Sequence, residues 1–434
     1  MRSLFFWLAA LLAASSYTVH GQGRLANAEP LVVASPDQAV AAALASSPTL
    51  RGAVAARQGV TGDALTAPLR PNPEASVLVE NFGGLGGRAD FRGGRAAETT
   101  VGVTQRIELG GKRAARVRLA ARNGDVAGLD YEAARLDLVR DVMTALAEAT
   151  AAARNVAVEQ ERVTLADLTV RIARARVDAG REPLLQLRRA EVTRSNAETS
   201  AERARREAEV SLRNLSALIG APRVELAPRQ AWFDDIGAAP PPAVPADPLL
   251  RLWENPDFAR LEAAIVQQRA NIELQRANAV PDVAVQGNVR RFEDGRQTAF
   301  VAGVAIPLPV FNRNQGGIAR AQADLLRAEA EAERGRLALA ASLVNAERRA
   351  GLAWRTVSNL RRTALPAAEQ ATRLATVGFA EGKFTFLEVL DAQRALSDAR
   401  AQLNDALREF HARRAETDRL RGQQPGAVPA GGTP

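Results

Sequence analysis

The chain has 434 residues, including 13 Phe, 4 Trp and 2 Tyr, with no cysteine and only two histidines, His20 and His411. Without cysteine there are no disulfides, thiolate metal sites or cysteine nucleophiles, and so little histidine removes the usual catalytic base and transition-metal ligand. We therefore expect no enzyme, no cofactor and no dedicated metal-binding site. The net charge of +8 comes from arginines interleaved with Glu and Asp along helical stretches. That pattern is typical of a solvated helix face, so nucleic acid is not an expected partner.

The amino terminus has the three parts of a secretory signal peptide. Arg2 is followed by an apolar run over 4–14 and then by small and polar residues, and Ala26-Asn27-Ala28 fits an A-x-A cleavage site. We assign 1–28 to a signal peptide and N-terminal segment, with cleavage between residues 16 and 28. A retained membrane anchor is the alternative, although the run is shorter than the roughly 20 residues that span a bilayer.

An internal duplication organises the rest of the chain. Four matched pairs lie at offsets of 201 to 208 residues: Ser47-Pro48 with Asn255-Pro256, 73–77 with 281–285, 101–103 with 302–304, and Gly180 with Gly382. This spacing predicts two tandem repeats, 37–219 and 256–421. Between them, the proline-rich segment 220–255 is expected to be an extended linker, and 422–434 a disordered tail.

Each repeat contains two short segments in which apolar and polar residues alternate. A period of two predicts strands with one apolar and one polar face, and Arg106 falls on the polar side of its strand. The polar, glycine-containing loops between the segments predict hairpins at 75–107 and 283–306. The four predicted strands cover 75–82, 99–107, 283–291 and 298–306.

Helices are predicted for most of the remainder. A helix over 37–66 or 256–278 precedes each hairpin, and long helices over 112–218 and 315–421 follow it, with a turn near the middle of each long region. In the last helix Val389, Leu396, Leu403 and Phe410 share one heptad position and alanines share another, which predicts a coiled-coil seam. At 1.5 Å per residue, the helix before each turn could reach about 100 Å.

The four predicted strands need partners. Isolated hairpins are unstable, and open strand edges in lipid leave backbone amides unsatisfied. Secretion combined with alternating segments of this length is typical of an outer-membrane barrel. Because four strands are too few to close a barrel, we expect three copies of the chain to share one of twelve strands. A soluble helical protein with two surface hairpins is the alternative.

A family resemblance appears after the last predicted strand. The run Pro307-Leu308-Pro309-Val310-Phe311-Asn312-Arg313-Asn314-Gln315-Gly316 resembles the strand-to-helix signature of TolC-like outer membrane factors, and looks most like their heavy-metal efflux branch of CzcC and CusC relatives. Asn255-Pro256 before a helix, and 378–382 leading into 386–392, match further patterns of the family. The resemblance covers essentially the whole chain after the signal peptide.

The resemblance implies an α+β membrane protein with two tandem structural repeats. Each chain would contribute four strands to a trimeric 12-stranded outer-membrane β-barrel, continued by a long α-helical coiled-coil tunnel through the periplasm. The homotrimer would sit in the outer-membrane lipid of a Gram-negative bacterium and dock a periplasmic adaptor (membrane fusion protein) and an inner-membrane RND-type pump. Its implied function is a passive exit duct of a tripartite efflux pump, for heavy-metal cations.

The same resemblance assigns a channel constriction to Glu388 and Asp391, at the start of the last long helix. One turn apart, the two residues share a helix face, and three copies would form a ring of six carboxylates that attracts cations. A solvated helix face is the alternative. The equivalent positions of the first repeat are Gln186 and Arg189, so the ring would come from the second repeat only.

Three further sets of residues receive roles. They are Gly180, Gly382 and Lys383 at the periplasmic tips where an adaptor docks, Pro307 and Pro309 at the bend between barrel and tunnel, and Arg106 and Arg290 lining the lumen. Proline can neither continue a strand ladder nor sit inside a helix, which favours the bend. A position at the barrel rim is the alternative for the two arginines. Phe384 stands where some family members have an arginine that latches the tip.

Two other functions stay open at this stage. A drug, solvent or type I secretion duct is possible, because it would have the same architecture and no residue in the sequence identifies the substrate. A periplasmic coiled-coil scaffold or adaptor would share the helices, but adaptors usually carry a lipoyl-like or barrel domain in the middle of the chain.

Overall fold

The computed structural model describes residues 29–82, 96–240, 252–381 and 383–423. The predicted signal peptide 1–28, residues 424–434 of the predicted tail and Gly382 lie outside them. The described part is mainly helical, with one four-stranded sheet and one pair of short strands.

The first half of the chain forms one short strand, one hairpin and four helices. These elements are β1 (Leu31–Val33), α1 (Pro36–Ser46), α2 (Pro48–Thr66), β2 (Glu74–Glu80), β3 (Glu98–Ile107), α3 (Lys112–Asp178) and α4 (Leu184–Ile219). The single helix expected over 37–66 is instead a pair bent by 45°. Pro48 causes the break, because the residue before a proline is pushed out of the helical region, and Ser47 has φ −59° and ψ 128°.

The second half repeats this order with an interruption in its long helix. Its elements are α6 (Pro256–Asn278), β5 (Val283–Phe292), β6 (Gln297–Ala305), α7 (Gln315–Asn359), a π-helical turn (Leu360–Ala364), α8 (Leu365–Ala380) and α9 (Phe386–Leu420). Pro366, which has no N–H to continue the helical ladder, is the second residue after the π-helical turn. The counterpart α3 runs without a break for 67 residues, or about 100 Å.

The prediction of an extended linker over 220–255 is wrong for its first part. There, β4 (Val224–Leu226) pairs in parallel with β1, and α5 (Ala231–Asp234) places Phe233 in a fully buried position. We name residues 224–240 the strap. Its apolar side chains precede the proline-rich run over 240–248, and their burial stabilises a packed conformation that the proline content alone does not reveal. Residues 241–251 lie outside the described part.

The two largest clusters of buried apolar residues lie among the helices. The first lies where β1, α1, α3 and α4 meet, and it is built within the first half. The second joins α3, α7, α9 and the strap through Phe233, Val357, Leu407 and Phe410. Because its members come from both repeats, the second cluster ties the two halves together.

The four longer strands form one antiparallel sheet in the order β2-β3-β5-β6. The two hairpins are therefore joined through β3 and β5, with Val101 opposite both Val77 and Val289. These valines and Phe300 share one face, and that face is exposed: Phe300 is 87% accessible and Val77 70%. The opposite face carries mostly polar and charged side chains. Within the described residues, the outer edges of β2 and β6 have no strand partner.

In the described ranges, no single helix is both long and apolar enough to cross a bilayer; α1 and α2 meet the requirement only as a bent pair, by length and composition.

Candidate functional site

The turn between α3 and α4 forms the first tip of the helical body. Gly180 has φ +67° and donates its N–H to the carbonyl of Val177 (2.9 Å), while Arg181 N–H donates to the carbonyl of Arg176 (2.9 Å). This pattern ends a helix on a left-handed residue, where glycine is favoured. An ion pair of 2.8 Å between Arg176 Nη1 and Glu182 Oε1 then joins the end of α3 to the turn.

The second tip, between α8 and α9, is described around Gly382, which itself lies outside the described residues. Lys383 N–H donates to the carbonyl of Gly378 (2.8 Å), and Lys383 Nζ pairs with Glu381 (2.6 Å). The ring of Phe384 lies on Gly378, where an added Cβ would come within 2.2 Å of Phe384 Cδ2. The side chain of Phe384 thus takes the space that glycine leaves open.

The two predicted constriction residues lie at the start of α9, and both are exposed. Thr385 N–H donates to Glu388 Oε2 (2.6 Å) and Glu388 N–H donates to Thr385 Oγ1 (3.4 Å), so the two residues form a capping box. The hydrogen bonds from the backbone and hydroxyl of Thr385 lower the pKa of Glu388. Asp391 lies 3.7 Å from Arg394 Nη1. Both residues therefore have local partners, and a constricting role for them stays a prediction.

Pro307 and Pro309 lie in the irregular segment between β6 and α7, where both are exposed. Arg313 Nε donates to the carbonyl of Pro309 (3.0 Å). At the start of α7, Asn314 Nδ2 donates to the carbonyl of Gln275 (2.8 Å), which fixes α7 to the end of α6. The prolines are thus placed at the connection from sheet to helix, and their predicted role in a bend concerns this connection.

Arg106 and Arg290 share the polar face of the sheet, at opposite ends. Arg290 lies between two carboxylates, 3.0 Å from Glu98 and 3.3 Å from Glu80. Arg106 is exposed and stands eight residues beyond Glu98 on β3, or about 27 Å along the strand. The sequence placed both arginines on one face, but the compensation of Arg290 by two carboxylates was not predicted.

Sequence reasoning missed an ion pair between the two halves where the sheet meets the helices. Lys112 Nζ lies 2.5 Å from Asp282 Oδ1, which also accepts the N–H of Leu109 (3.3 Å). Burial raises the pKa of Asp282, but the hydrogen bonds from Lys112 and Leu109 outweigh it and the pKa is lowered. The available signal was that Lys112 is one of two lysines in a chain whose other basic residues are arginines.

A second unpredicted set of contacts surrounds the strap. His411 Nε2 donates to the carbonyl of Phe233 (2.9 Å), and burial lowers the pKa of His411 to about 4. Asp234 pairs with Arg154 of α3 (2.6 Å) and with Arg361 of the π-helical turn (3.4 Å). The strap is therefore attached to helices of both repeats. Its aromatic residues, in a chain with so few of them, were the signal.

Chemically, the groups described above are better suited to contacts with lipid and water than to catalysing a reaction. The sheet has an apolar face suited to a hydrocarbon environment and a polar face suited to water. Across the residues that the structure describes, no group of three or more histidine, aspartate and glutamate side chains could hold a metal ion.

Comparison with known proteins places the chain in a family. The outer membrane efflux protein family matches residues 39–221 and 250–423. The cobalt-zinc-cadmium resistance protein CzcC of Cupriavidus metallidurans is 31% identical over 396 residues, covering 89% of this chain and 90% of CzcC. The nickel-cobalt-cadmium resistance protein NccC of Alcaligenes xylosoxydans is 29% identical over 301 residues, covering 67% and 66%. The crystal structure of CusC superposes with a TM-score of 0.72 at 17% identity, covering 89% of this chain and 92% of CusC.

The chain belongs to the outer membrane efflux protein family. The predicted resemblance is thereby confirmed, and the fold is that of the TolC-like channels. It is an outer-membrane efflux protein that extends into the periplasm, and its family consists of channel proteins. A scaffold or adaptor that never enters the membrane, one of the alternatives left open by the sequence, is a different class of protein.

Proposed function

We propose that this protein is the exit duct of a tripartite pump that exports heavy-metal cations. The observation that carries the proposal is the match to CzcC along nearly the whole of both chains. NccC and a nickel and cobalt resistance protein from Cupriavidus metallidurans support the same substrate class. The duct is passive and works with a periplasmic adaptor and an RND-type inner-membrane pump, which select and drive the cargo.

A deletion strain provides the test of function. Loss of the gene should lower the growth-inhibiting concentrations of cobalt, zinc, cadmium or nickel salts, and the wild-type gene on a plasmid should restore them. The growth-inhibiting concentrations of antibiotics and solvents are measured for the same strains. Unchanged metal tolerance together with greater antibiotic sensitivity would replace the proposal with the drug-efflux alternative.

The assembly we propose is a trimer whose sheets close into one barrel of twelve strands. Two features support it: the unpaired outer edges of β2 and β6, and an apolar face whose valines and Phe300 are exposed in the single chain. Closure would pair each β6 with the β2 of the next copy, and lipid would cover the apolar face. Helices the length of α3 would then form the periplasmic tunnel, with Pro307 and Pro309 at the bend. A particle with the mass of one chain in detergent would contradict this assembly.

The constriction we propose is a ring of Glu388 and Asp391 from three chains. Glu388 has a lowered pKa and is ionised at neutral pH, and its capping box fixes the position of the carboxylate. Both residues are exposed to solvent in the single chain, which is compatible with a position facing a pore. A ring of carboxylates in a narrow opening attracts cations and repels anions.

The ring is tested with the double variant E388Q/D391N in planar bilayers. Glutamine can serve in a capping box as glutamate does, so the variant removes charge and keeps the helix start. We expect the permeability ratio of potassium over chloride to fall severalfold. Q186A, at the matching position of the first repeat, is the control and should leave the ratio unchanged. An equal ratio in E388Q/D391N and wild type would count against the ring.

The two tips are the surfaces we propose for adaptor docking, through Gly180, Gly382 and Lys383. Support comes from the first tip, where the left-handed Gly180 allows the helices to reverse tightly. A charge reversal, K383E, should weaken adaptor binding measured with purified components. An unchanged dissociation constant would remove Lys383 from the docking surface.

A further inference from the structure

The apolar face of β6 continues in the sequence beyond Ala305, where the strand ends. Every second residue is apolar, first within the strand and then after it: Phe300, Ala302, Val304, Ile306, Leu308 and Val310. The last three are 52%, 79% and 62% exposed. In the single chain, Val310 N–H donates to the carbonyl of Leu308 (2.8 Å), a contact within the segment itself. If extended, the segment would lie on the same face as Phe300.

The backbone of the sheet defines which groups point to its open edges, the edges of β2 and β6 that have no strand partner in the described part of the chain. Glu293 N–H donates to the carbonyl of Ala97 (3.0 Å), its partner when the register of β3 and β5 is continued by one pair. Hydrogen-bonding groups alternate between the two edges of a strand, so even-numbered residues of β5 point to β6. Their partners in β6 are odd-numbered, and the even-numbered residues of β6 therefore point to its open edge. By the same count, three residues point to the open edge of β2: Ala75, Val77 and Val79.

This alternation accounts for the positions of the two prolines after β6. Pro307 and Pro309 are odd-numbered, so in a continued strand their nitrogens would face the side of β5. There β5 offers no partner, because its first residue, Val283, already lies opposite position 306 in the register. Proline occurs in sheets where its missing N–H is not needed. Ile306 and Leu308 keep their N–H groups, and these would face the open edge.

The internal duplication supplies a register for the open edges. Gly102 of β3 lies opposite Asn288 of β5. The duplication has an offset of 201 residues for the strand segment 101–103 and 208 for the segment 73–77. These offsets carry the pair to Gly303 of β6 and Glu80 of β2, on opposite edges of the sheet. The pairing that joins the repeats within one chain thus has a counterpart between two chains.

This register reaches past the end of β6. Ala305 falls opposite Leu78, so residues 74–77 of β2 are opposite 306–309. Ile306 is then opposite Val77, and both residues have their side chains on the apolar face and their N–H groups at the shared edge. A slip of one residue would put the two side chains on opposite faces of the sheet.

We propose that residues 306–309 extend β6 when the chain assembles, as a strand paired with residues 74–77 of a second copy. This inference rests on the proposed trimeric barrel. An irregular segment exposed to lipid leaves backbone groups unsatisfied, and the pairing gives partners to the N–H groups of Ile306 and Leu308. Pro307 and Pro309 then lie on the barrel side of the bend.

The absence of cysteine from the chain allows a direct test by cross-linking. In V77C/I306C the two thiols would meet across the boundary between copies, with Cα atoms about 5.5 Å apart, a distance that a disulfide spans. Within one chain the two positions are three strand spacings apart, about 14 Å, which is too far for a disulfide. Copper phenanthroline catalyses the oxidation of each thiol pair, with dioxygen as the electron acceptor. Any bond formed therefore joins two copies.

We expect covalent dimers and trimers of V77C/I306C on a denaturing gel, and their loss on reduction. V79C/V304C is the reference, because the same register pairs these positions inside the strands of the single chain, and it reports closure of the barrel alone. V77C/A305C is the matched control: residue 305 faces the other side of the sheet, so its yield should be severalfold lower.

A second measurement tests the backbone pairing. L308P removes the N–H that would point to the second copy, whereas L308A shortens the side chain and keeps the N–H. The trimer of L308P should dissociate at a lower temperature on a gel than the trimer of L308A. Equal dissociation temperatures would contradict the extension.

The cross-linking outcomes separate the extension from the barrel on which it rests. A particle with the mass of one chain would overturn both. Cross-linked V79C/V304C without cross-linked V77C/I306C would overturn the extension alone, and so would equal yields in V77C/I306C and V77C/A305C. A bond in V77C/L308C in place of V77C/I306C would support the extension and move its register by two residues. The mass of each variant in detergent, measured before oxidation, verifies its assembly.

Discussion

The two tips of the helical body form equivalent turns with different side-chain chemistry. At the first tip, Arg176 and Glu182 form an ion pair. The residues 202 positions later are Gly378 and Phe384, and there a ring lies on a glycine. The backbone bond is the same in both, from the residue after the turn glycine to the carbonyl of Arg176 or Gly378.

The difference shows which contacts the fold requires and which can change. The backbone turn is retained, whereas its side-chain contact is polar in one repeat and apolar in the other. An exposed ion pair contributes little stability, so its replacement costs little. The second repeat also has Thr385 where the first has Pro183, and Glu388 where the first has Gln186. At this turn the two repeats thus share the backbone hydrogen bond and differ in the side chains around it.

The largest loss of stability is expected from a substitution in the strap, the segment that joins the two repeats. Phe233 is fully buried among residues of α3, α7 and α9, so F233A should lower the free energy of unfolding by about 3–5 kcal/mol. Denaturant unfolding in detergent measures this loss. The comparison variant F384A removes a partly exposed ring at the second tip and should cost much less. Equal losses would mean that the strap does not couple the repeats.

His411 gives the stability a pH dependence that belongs to the second repeat alone. Burial lowers the pKa of His411 to about 4 in the folded state, against 6.5 unfolded, so the unfolded chain binds its proton first as the pH falls. The contribution of neutral His411 to the free energy of unfolding is fully present above pH 6.5, and it falls by about 3 kcal/mol as the pH approaches 4. Arg414 favours the neutral ring, and Asp234 and Asp235 oppose it.

The variant H411Q isolates this effect from the other titrating groups. Glutamine stays neutral and can donate to the carbonyl of Phe233 in place of the imidazole. Asp418, whose pKa burial raises, works in the opposite direction and is present in both proteins. The stability of wild type relative to H411Q should therefore decline between pH 6.5 and 4. A constant difference would show that His411 is accessible to protons in the folded state.

Each repeat ends its last helix with a glycine packed against a backbone carbonyl, so substitution of either glycine should change the free energy of unfolding equally. Gly220 (φ +78°) ends α4 against the carbonyl of Ser46, and Gly422 (φ +72°) follows α9 against the carbonyl of Glu254; an added Cβ would lie 2.6 Å from either oxygen. G220A and G422A should each lower the free energy of unfolding by about 1–2 kcal/mol from the left-handed backbone, with a further cost from the clash. G59A, at an open helical site, should not destabilise. A clear difference between the two variants would show that the repeats are no longer equivalent here.

The sequence predicted those parts of the fold that leave a periodic pattern. Alternation located all four strands, because one face of each is apolar, and glycine with matched spacing located the first tip. The pairing of β3 with β5 was not predicted, because alternation fixes a strand's faces and carries no information about its neighbour. The strap was not predicted, because the prolines over 240–248 favoured an extended linker. A single buried aromatic ring such as that of Phe233 can nevertheless hold a short helix in place.

The positions of the candidate site residues could be predicted from the sequence, but the contacts that their side chains make could be predicted less well. Polarity placed Arg106 and Arg290 on one face of the sheet, but the carboxylates around Arg290 come from β2 and β3, which are about 190 to 210 residues earlier in the chain. Glu388 was assigned from its resemblance to a family, and its hydrogen bonds with Thr385 were not foreseen. An S/T-x-x-E pattern before a helix was the available signal.

The smallest expected effect concerns the start of the helix at each tip. In T385A the hydroxyl that accepts from Glu388 N–H is lost, so the variant should lower the free energy of unfolding by about 1 kcal/mol. Pro183 makes no side-chain cap at the start of α4, so P183A removes no such bond and serves as the comparison. The pKa of Glu388 should also rise in T385A, since the hydroxyl of Thr385 helps to lower it. Carboxylate titration by NMR measures that change, and an unchanged pKa would mean that the backbone N–H of Thr385 alone holds the carboxylate.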